Sequence, residues 1–318
     1  MLFRQHSSCG ILKKIVARAA EENDTDHGWV VSDFFVGLPG AWEESRAIRN
    51  SVSLKSNIRR RVPGLLLKFC GRLRKKARMM RISSKTTEEV FTDIYLNNRW
   101  GGNAGELCSG GGSHDDNIAD AYCALIAGHA AEFGFGSAAF VDLGCGDMRI
   151  GRRLIPLCSS YTGVDVVKML VQRHQHEFAS DSVGFRHLDI IEDDLPDGDV
   201  CFVRQVFQHL SNDQILRILP KLAKYRYVYI TEHVPSPGRK FTPNRDKPHG
   251  GEIRLDEGSG VDVTCHPFSL PAQDVMVELE VEGPTFVGCD DPGVIRTVLY
   301  TPGKSATVPG SGPRNQAI

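Results

Sequence analysis

The sequence predicts an α/β protein with a doubly wound, mostly parallel sheet. Its 318 residues suffice for one large domain, and 41% hydrophobic and 24% charged residues are ordinary for a globular chain. From residue 138 onwards, short apolar segments alternate with amphipathic ones, the order that places parallel strands between helices. Near the C-terminus two apolar segments follow each other without a helix between them. They predict an antiparallel hairpin at the edge of the sheet, and helices are expected N-terminal to the first strand.

Each predicted element has its own local signal. Helices are expected where apolar residues recur at helical spacing, and Thr86 with Glu89 begins the first of them as a capping box. Strands are expected where β-branched and aromatic residues cluster between turn residues. The predicted helices cover 86–97, 115–133, 149–158, 168–179 and 211–225. The predicted strands cover 138–144, 160–165, 183–190, 199–206, 226–234, 275–283 and 294–302.

Charge and pattern divide the chain into four parts. The beginning of the chain shows no period, the next segment is basic with apolar residues at helical spacing, and the rest has the strand and helix order described above. The parts are a poorly determined extension (1–60), a basic amphipathic helix (61–85), the main domain (86–300) and a flexible tail (301–318).

The basic segment has three interpretations. From Lys55 to Lys85 the chain has 12 Lys or Arg and no acidic residue. A helix here could dock on the main domain with a solvated basic face, or lie on an anionic membrane surface. The same charge could serve nucleic acid through residues 55–85. The sequence alone leaves these alternatives open.

Cysteine usage bears on compartment and metal content. Nine cysteines are scattered along the chain and none forms a C-x-x-C pair, so the sequence predicts neither a disulfide framework nor a metal site. Several lie in apolar segments, which suits a reducing compartment. No apolar run approaches the roughly 20 residues of a membrane span. We therefore expect a cytoplasmic protein without a metal ion, and a peripheral membrane location if the basic segment binds lipid.

The segment FVDLGCGDMRIG closes the first predicted strand of the main domain. Gly144 and Gly146 let a ligand approach the backbone closely. A dinucleotide would require a third glycine where Arg149 stands, and Asp142 and Asp147 would repel its pyrophosphate. A cationic ligand without phosphate fits better. S-adenosylmethionine, with its sulfonium and ammonium groups, is such a ligand.

Acidic residues also follow the next two predicted strands. Ligands of doubly wound sheets bind beyond the carboxyl ends of the strands. Asp165 lies one strand–helix–strand unit after Asp142, where an acid can accept both ribose hydroxyls. Asp189 is placed to accept from the adenine amino group. The residues predicted from this pattern to bind the cofactor are Asp142, Gly144, Cys145, Gly146, Asp165 and Asp189.

The segment 140–233 resembles class I S-adenosylmethionine-dependent methyltransferases. VDLGCG is similar to their first motif, TGVD to the second, HLDI to the third and RQVFQHL to the segment of the fourth strand. A narrower resemblance spans about residues 86–271, where FTDIYLNNRWGG, SGGGS, TEHVP and a late PF pair resemble a poorly characterised subgroup. This resemblance implies a lid, residues 97–113, over the cofactor. The residues it adds to the cofactor site are Trp100, Gly102 and Ser113, and the broader resemblance of the fourth-strand segment adds Gln205.

Three residues are candidates for catalysis. Methyl transfer requires alignment of the acceptor, and a hydroxyl acceptor also requires a base. His209 follows the fourth strand, while Glu232 and His233 close the fifth, where strand register decides which of the two faces the pocket. The long loop 234–272, which we call the acceptor loop, is expected to roof the acceptor pocket.

These residues lead to three functional hypotheses. The first is O-methylation of a small polar acceptor, such as a sugar or a sugar-bearing metabolite. The second is methylation of nucleic acid guided by residues 55–85. The stretch Arg204-Gln205-Val206-Phe207 lacks the Asp/Asn-Pro-Pro-aromatic motif, which disfavours N6-adenine methylation. The third is a module that binds S-adenosylmethionine without catalysis.

Overall fold

A computed structural model describes residues 85–103, 105–284 and 291–303 of the chain. The predicted extension, the predicted basic helix except Lys85, and most of the predicted tail lie outside these ranges. Most of the connection expected between the last two strands also lies outside them. Within the described ranges, no helix is both long enough and apolar enough to cross a membrane.

A seven-stranded sheet forms the centre of the described part of the chain, in the order β3-β2-β1-β4-β5-β7-β6. The first five strands pair in parallel, and β7 pairs antiparallel with both β5 and β6. The predicted fold class and the antiparallel edge hairpin are therefore confirmed. The strands are β1 (Ala139–Leu143), β2 (Ser160–Asp165), β3 (Val183–His187), β4 (Val200–Arg204), β5 (Tyr227–Val234), β6 (Val275–Glu282) and β7 (Val294–Tyr300).

The helices flank this sheet and mostly follow the predicted positions. Thr86 caps the first helix by accepting the N–H of Glu89, whose carboxylate accepts the N–H of Thr86. The helices in the described ranges are α1 (Thr87–Leu96), α2 (Gly111–His114), α3 (Asp116–Phe133), α4 (Gly151–Leu154), α5 (Lys168–Phe178) and α6 (Asn212–Ile218).

Two predicted helices are shorter than expected. The α-helix within 149–158 ends at Leu154, and the one within 211–225 ends at Ile218. Both continue as 3₁₀ turns that contain a proline at one of their first two positions. Proline lacks an N–H and its ring clashes with the preceding turn, so an α-helix does not pass through it unchanged.

Hydrophobic layers cover both faces of the sheet. On one face, Val141 and Leu143 of β1 belong to the cluster that contains the buried side chains of α1 and α6. On the other face, Phe140 belongs to the cluster that includes Tyr122 and Ile126 of α3. Because side chains alternate along a strand, Asp142 points to the same side as Phe140. This places its carboxylate among aromatic side chains at the carboxyl end of β1.

Candidate cofactor and acceptor site

A cavity, which we call the cofactor cavity, opens at the carboxyl ends of the parallel strands, between α1, the lid and the glycine loop that follows β1. It lies where the strand order reverses between β1 and β4, the usual ligand position in such sheets. Nine of the ten residues predicted to bind the cofactor line it: Trp100, Ser113, Asp142, Gly144, Cys145, Gly146, Asp165, Asp189 and Gln205.

The glycine loop approaches other parts of the protein too closely for side chains. Gly144 and Gly146 have φ angles of +77° and +57°, a region that disfavours residues with a Cβ. A Cβ on Gly144 would lie 2.6 Å from Val206, and one on Gly146 would collide with the Oγ of Ser109. The glycines therefore allow both the sharp turn and the approach of the lid.

Asp165 ties this loop to the end of β2. Its carboxylate accepts the N–H of Gly146 at 3.0 Å and the N–H of Val167 at 2.9 Å. Burial raises the pKa of Asp165 to about 6, although the backbone donors oppose the shift. Each carboxylate oxygen has a second lone pair, so this residue can also accept from a ligand.

Asp189 has a similar arrangement beyond the end of β3. One carboxylate oxygen accepts the hydroxyl of Thr87 at 2.7 Å, and the other accepts the N–H of Ile191 at 2.9 Å. The contact with Thr87 joins the cavity wall to the start of α1. Both residues line the cavity, so Asp189 combines a structural contact with a position beside the ligand.

Asp142 is a buried acid in an apolar setting. The hydroxyl of Tyr161 donates to its carboxylate at 2.5 Å. Burial raises the pKa of Asp142 to about 6, while this hydrogen bond and the charge of Arg204 oppose the shift. A cationic ligand group near Asp142 would stabilise its charged form.

The N-terminal side of the glycine-rich SGGGS part of the lid is bound to the glycine loop. Asp147 accepts the N–H of Ser109 at 2.8 Å, and the N–H of Asp147 donates to the Oγ of Ser109 at 2.9 Å. The hydroxyl of Tyr95 also contacts this Oγ, at 2.9 Å. His114, just after the lid, contacts Asp147 with its Nε2 at 2.7 Å.

Arg204, at the end of β4, holds the other side of the same segment. Its guanidinium donates to the Oγ of Ser113 at 2.8 Å and to the carbonyl of Gly112 at 2.5 Å. The side chain also lies over the ring of Tyr122, 5.1 Å from its centroid. The lid is thus held against two different strand ends.

Trp100 and Gly102 occupy different environments within the lid. The Nε1–H of Trp100 donates to the carbonyl of Gly251 at 3.1 Å, and its ring packs against Tyr95 and His209. Gly102 lines neither the cofactor cavity nor the one described next. A Cβ on it would lie 2.9 Å from the Cβ of Cys108. Close packing on Cys108 accounts for the glycine, and its contact with the cofactor stays a prediction.

A second cavity, which we call the acceptor cavity, adjoins the first. Trp100, Ser109, Gln205 and His209 line both cavities. The remaining wall comes from Arg99, Gly110 to Gly112, Gln208, His233 and Asp291, and from parts of the acceptor loop between 235 and 258. Parts of the loop expected to roof the acceptor pocket therefore line this cavity, and its role in binding an acceptor stays a prediction.

Buried polar side chains organise the acceptor loop, which has little regular structure. Asn244 accepts the N–H of Asp262 and donates to carbonyls that include that of His266. Arg254 is almost fully buried and donates to the carbonyls of Arg245 and Leu210. Buried backbone groups must find partners, and in this loop side chains supply them.

His209 stands in the wall between the two cavities. Its Nδ1 donates to the carbonyl of Gly250 at 3.1 Å, which leaves Nε2 unprotonated in the neutral ring. The amide nitrogen of Gln208 lies 3.3 Å from Nε2. Burial, and then the charge of Lys247, lower the pKa of His209 to about 3. The imidazole is therefore neutral at physiological pH and offers a hydrogen-bond acceptor.

The two candidates at the end of β5 point in different directions. His233 lines the acceptor cavity, with its Nε2 donating to the carbonyl of Pro292 at 2.6 Å. Glu232 lines neither cavity. Its two oxygens accept the N–H groups of Phe207 and Gln208, each at 2.9 Å. Glu232 therefore holds the 3₁₀ turn that carries His209, and its catalytic role stays a prediction without a contact to either cavity.

A family model matches the middle of this chain. Residues 141–224 match the family described as a methyltransferase domain. The matched segment includes the glycine loop and Asp165. This part of the chain is a methyltransferase domain. No curated protein matches it.

Solved structures similar to this methyltransferase have low sequence identity. The N-methyltransferase NodS from Bradyrhizobium japonicum WM9 is 14% identical over 59% of this chain and 99% of its own, with a TM-score of 0.41. Magnesium protoporphyrin IX methyltransferase from Synechocystis PCC 6803, with S-adenosylmethionine bound, is 13% identical over 68% and 92%, with a TM-score of 0.42. Human N-acetylserotonin methyltransferase is 14% identical over 70% and 61%, with a TM-score of 0.39.

The residues of the cofactor cavity fit S-adenosylmethionine. The glycine loop is suited to a part of the ligand that lies close to the backbone. Asp165 is suited to a part of the ligand that presents hydroxyl groups. Asp142 supplies a buried carboxylate for a cationic group, and Asp189 supplies an acceptor at the far end. The Nε of Arg204 is buried and has no hydrogen-bond partner among the described residues. When bound, this cofactor supplies a methyl group already activated by its sulfonium.

Sequence analysis missed several residues of the methyltransferase site. Phe91 and Tyr95 lie four residues apart on α1 and line the cofactor cavity. Their spacing is also that of a helix packed on a core, so it gives no separate signal for a site. Arg204 lies at a predicted strand end, but sequence analysis assigned it no function in the site. Its strand-end position was the available signal, whereas its contact with the lid depends on the fold.

Proposed function

We propose that this methyltransferase transfers a methyl group to a hydroxyl of a small polar acceptor, such as a sugar or a sugar-bearing metabolite. The observation that carries the proposal is the position of His209, which lines both cavities with an unprotonated Nε2. A group at this boundary can contact the acceptor atom where the two ligands meet. Methyl transfer depends mainly on such alignment.

The lining of the acceptor cavity supports a polar, hydroxylated acceptor. Charged side chains of both signs also belong to it: Arg99, Arg239, Lys240, Glu252, Asp256 and Asp291. Gln208, His209 and His233 supply neutral hydrogen-bonding groups deep in the cavity. Trp100 and Phe241 supply aromatic surface on its walls. Ligand sites commonly combine apolar walls with a few polar groups that fix orientation. A sugar has both the hydroxyl groups and the apolar ring face that such a cavity binds.

His209 acts in this proposal as a hydrogen-bond acceptor. Because its pKa is lowered to about 3, the imidazole does not remain protonated at neutral pH. Its Nε2 instead exchanges the amide of Gln208 for the acceptor hydroxyl, accepts its hydrogen bond and so directs an oxygen lone pair. As the O–CH₃ bond forms and the S–CH₃ bond breaks, the hydroxyl proton leaves along this hydrogen bond to water. The donation from Nδ1 to Gly250 fixes the ring orientation. His233 is proposed to contact the acceptor, not the cofactor, since it lines the acceptor cavity alone.

The test is a methyl-transfer screen followed by substitution of His209. Labelled methyl groups from S-adenosylmethionine should appear in sugars or hydroxylated metabolites, with RNA tested in parallel. For the acceptor found, His209→Ala should lower kcat by about 10²-fold, the loss expected when the acceptor is misaligned. Affinity for S-adenosylmethionine should change by less than about threefold, and His209→Gln should recover part of the loss. Label in RNA alone, or an unchanged kcat in His209→Ala, would contradict the proposal.

A further inference from the structure

We propose that Cys108, His114 and Asp147 form a binding site for a zinc-type divalent cation that fastens the lid to the glycine loop. The potential ligand atoms of these three residues all lie within 4.8 Å of one another. They come from two segments of the chain, with His114 and Asp147 separated by 33 positions. Spacing within either segment therefore gives no metal motif, which is why the sequence alone predicted none.

The distances suit one shared ion. The Nε2 of His114 and the Oδ2 of Asp147 are 2.7 Å apart. Ligand atoms bonded to zinc at about 2.0–2.3 Å are separated by at most about 4.3 Å. In a tetrahedral site the nitrogen and oxygen would lie about 3.3 Å apart, so an ion would replace the His114–Asp147 hydrogen bond, separate these two atoms slightly and draw the sulfur of Cys108 inward. A thiolate, an imidazole and a carboxylate are the ligands that zinc prefers, whereas calcium and magnesium prefer oxygen alone.

Backbone groups already orient the carboxylate of this site. The Oδ2 of Asp147 accepts the N–H of Ser109 at 2.8 Å, and its Oδ1 accepts the N–H of Arg149 at 3.0 Å. Outer contacts of this kind fix a metal ligand in place before the ion binds. The contact to Ser109 also means that the same carboxylate serves both the lid and the proposed site.

The surroundings give an ion access from solvent. The side chain of His114 is 39% exposed, and Cys108 is buried beside it. With three protein ligands, a fourth position remains for water. On binding, the thiol of Cys108 loses its proton to solvent and the sulfur bonds to the ion, while His114 binds as the neutral imidazole.

The expected effect of the ion is on the lid. Cys108 precedes and His114 follows the glycine-rich stretch from Ser109 to Ser113, whose two end residues line the cofactor cavity. Joining both flanks to Asp147 would restrict a segment with three successive glycines, which otherwise has high conformational freedom. The ion would thus favour the closed arrangement of the cofactor cavity without contacting the reacting atoms.

The first test is a titration of the chelator-treated, full-length protein with Co²⁺. Wild type should bind one equivalent and show thiolate-to-cobalt charge-transfer absorption, which Zn²⁺ should abolish. Cys108→Ser should lose this absorption. Cys158→Ser is the matched control, because Cys158 is a partly buried cysteine outside the site, and it should retain the absorption. No absorption in wild type, or equal absorption in Cys108→Ser, would overturn the site.

The second test uses the exposed ligand, whose replacement should be tolerated by the fold. His114→Gln should weaken Zn²⁺ binding by about 100-fold or more, since even outer contacts of metal sites contribute about 10–100-fold. Zn²⁺ should slow hydrogen exchange at residues 109–114 in wild type but not in His114→Gln. Unchanged zinc affinity in the variant would overturn the ligand set. Unchanged exchange in wild type with zinc bound would overturn the fastening of the lid. Neither readout depends on methyl transfer or on the acceptor.

Discussion

The cofactor cavity and the acceptor cavity share a wall but are built from different kinds of chain. The cofactor cavity lies on strand ends, where Asp142, Asp165 and Asp189 come after or close β1, β2 and β3. The acceptor cavity lies under a long loop whose shape depends on buried side chains such as Asn244 and Arg254. Carboxylates dominate the polar lining of the first, whereas the second combines neutral hydrogen-bonding groups with charged side chains of both signs. The difference suits a cationic cofactor on one side and a polar acceptor on the other.

The largest effect expected on the cofactor side comes from Asp165→Ala. The substitution removes the carboxylate that accepts from Gly146 and Val167 and that faces the cavity. Hydrogen bonds to charged groups contribute about 1.5–3 kcal/mol each, so affinity for S-adenosylmethionine should fall by at least about 100-fold. Calorimetric titration measures this loss.

The matched control for this prediction is Asp181→Ala, which replaces an exposed acid before β3 and should leave affinity unchanged. Asp165→Asn, which keeps one acceptor, should fall between the two and guards against loss of fold as the explanation. Full affinity in folded Asp165→Ala would contradict the cofactor site.

A smaller loss is expected when the lid is released from β4. Arg204→Met removes the donors to Gly112 and Ser113, and affinity for S-adenosylmethionine should weaken by about 10–100-fold. Hydrogen exchange at residues 110–113 should accelerate. Arg226→Met is a matched control, because Arg226 also lies 5.1 Å over a tyrosine ring but is exposed and distant in sequence from the lid. Equal exchange and affinity in the two variants would show that Arg204 does not hold the lid.

On the acceptor side, Glu232→Gln should change stability with a defined pH dependence. Burial raises the pKa of Glu232 from 4.5 to about 8. An acid with a raised pKa in the folded state stabilises the fold most below pH 4.5, and this contribution is lost as pH rises through 8. Wild type should therefore lose stability relative to Glu232→Gln between pH 5 and 8.

Thermal melts across this pH range check the prediction. The Tm of Glu232→Gln minus that of wild type should rise by a few degrees, at about 2–4 °C per kcal/mol for a domain of this size. Asp197→Asn, a fully exposed acid, should show no comparable trend. A Tm difference that stays flat or falls with increasing pH would contradict the assignment of Glu232 as a buried acid that is neutral below pH 8.

The smallest effect is expected from removing residues 1–84. This deletion leaves both cavities and the capping residue Thr86 in place, so affinity for S-adenosylmethionine should change by less than about twofold. Binding of the intact and shortened proteins to anionic vesicles and to RNA then tests the three interpretations of the basic segment. A large loss of cofactor affinity would mean that this segment contributes to the site.

The two cavities also differ in how far the sequence predicts them. Periodicity and capping residues predict the order of strands and helices, because these signals are local. Asp142 and Asp165 were predicted because strand ends in a doubly wound sheet meet at one edge. The positions at which α4 and α6 end were not predicted, although the sequence contains the prolines that follow these helices, Pro156 and Pro220.

The acceptor side depends on contacts that no local pattern contains. Whether Glu232 or His233 faces a cavity follows from the register of β5, which neighbouring strands determine. The contact of Arg204 with Gly112 joins residues 92 positions apart. Gly102 looked like a ligand contact because it lies in a glycine-rich lid, whereas its close neighbour is Cys108. Such pairings are properties of the folded chain.

The most direct test of the account is a calorimetric titration of the purified protein with S-adenosylmethionine and, separately, with NAD. The account predicts that S-adenosylmethionine binds with one site per chain and that NAD does not bind measurably. The reason is that Asp142 and Asp147 favour a cation, and Arg149 replaces the third glycine that a pyrophosphate requires. Binding of NAD without binding of S-adenosylmethionine would contradict the central claim.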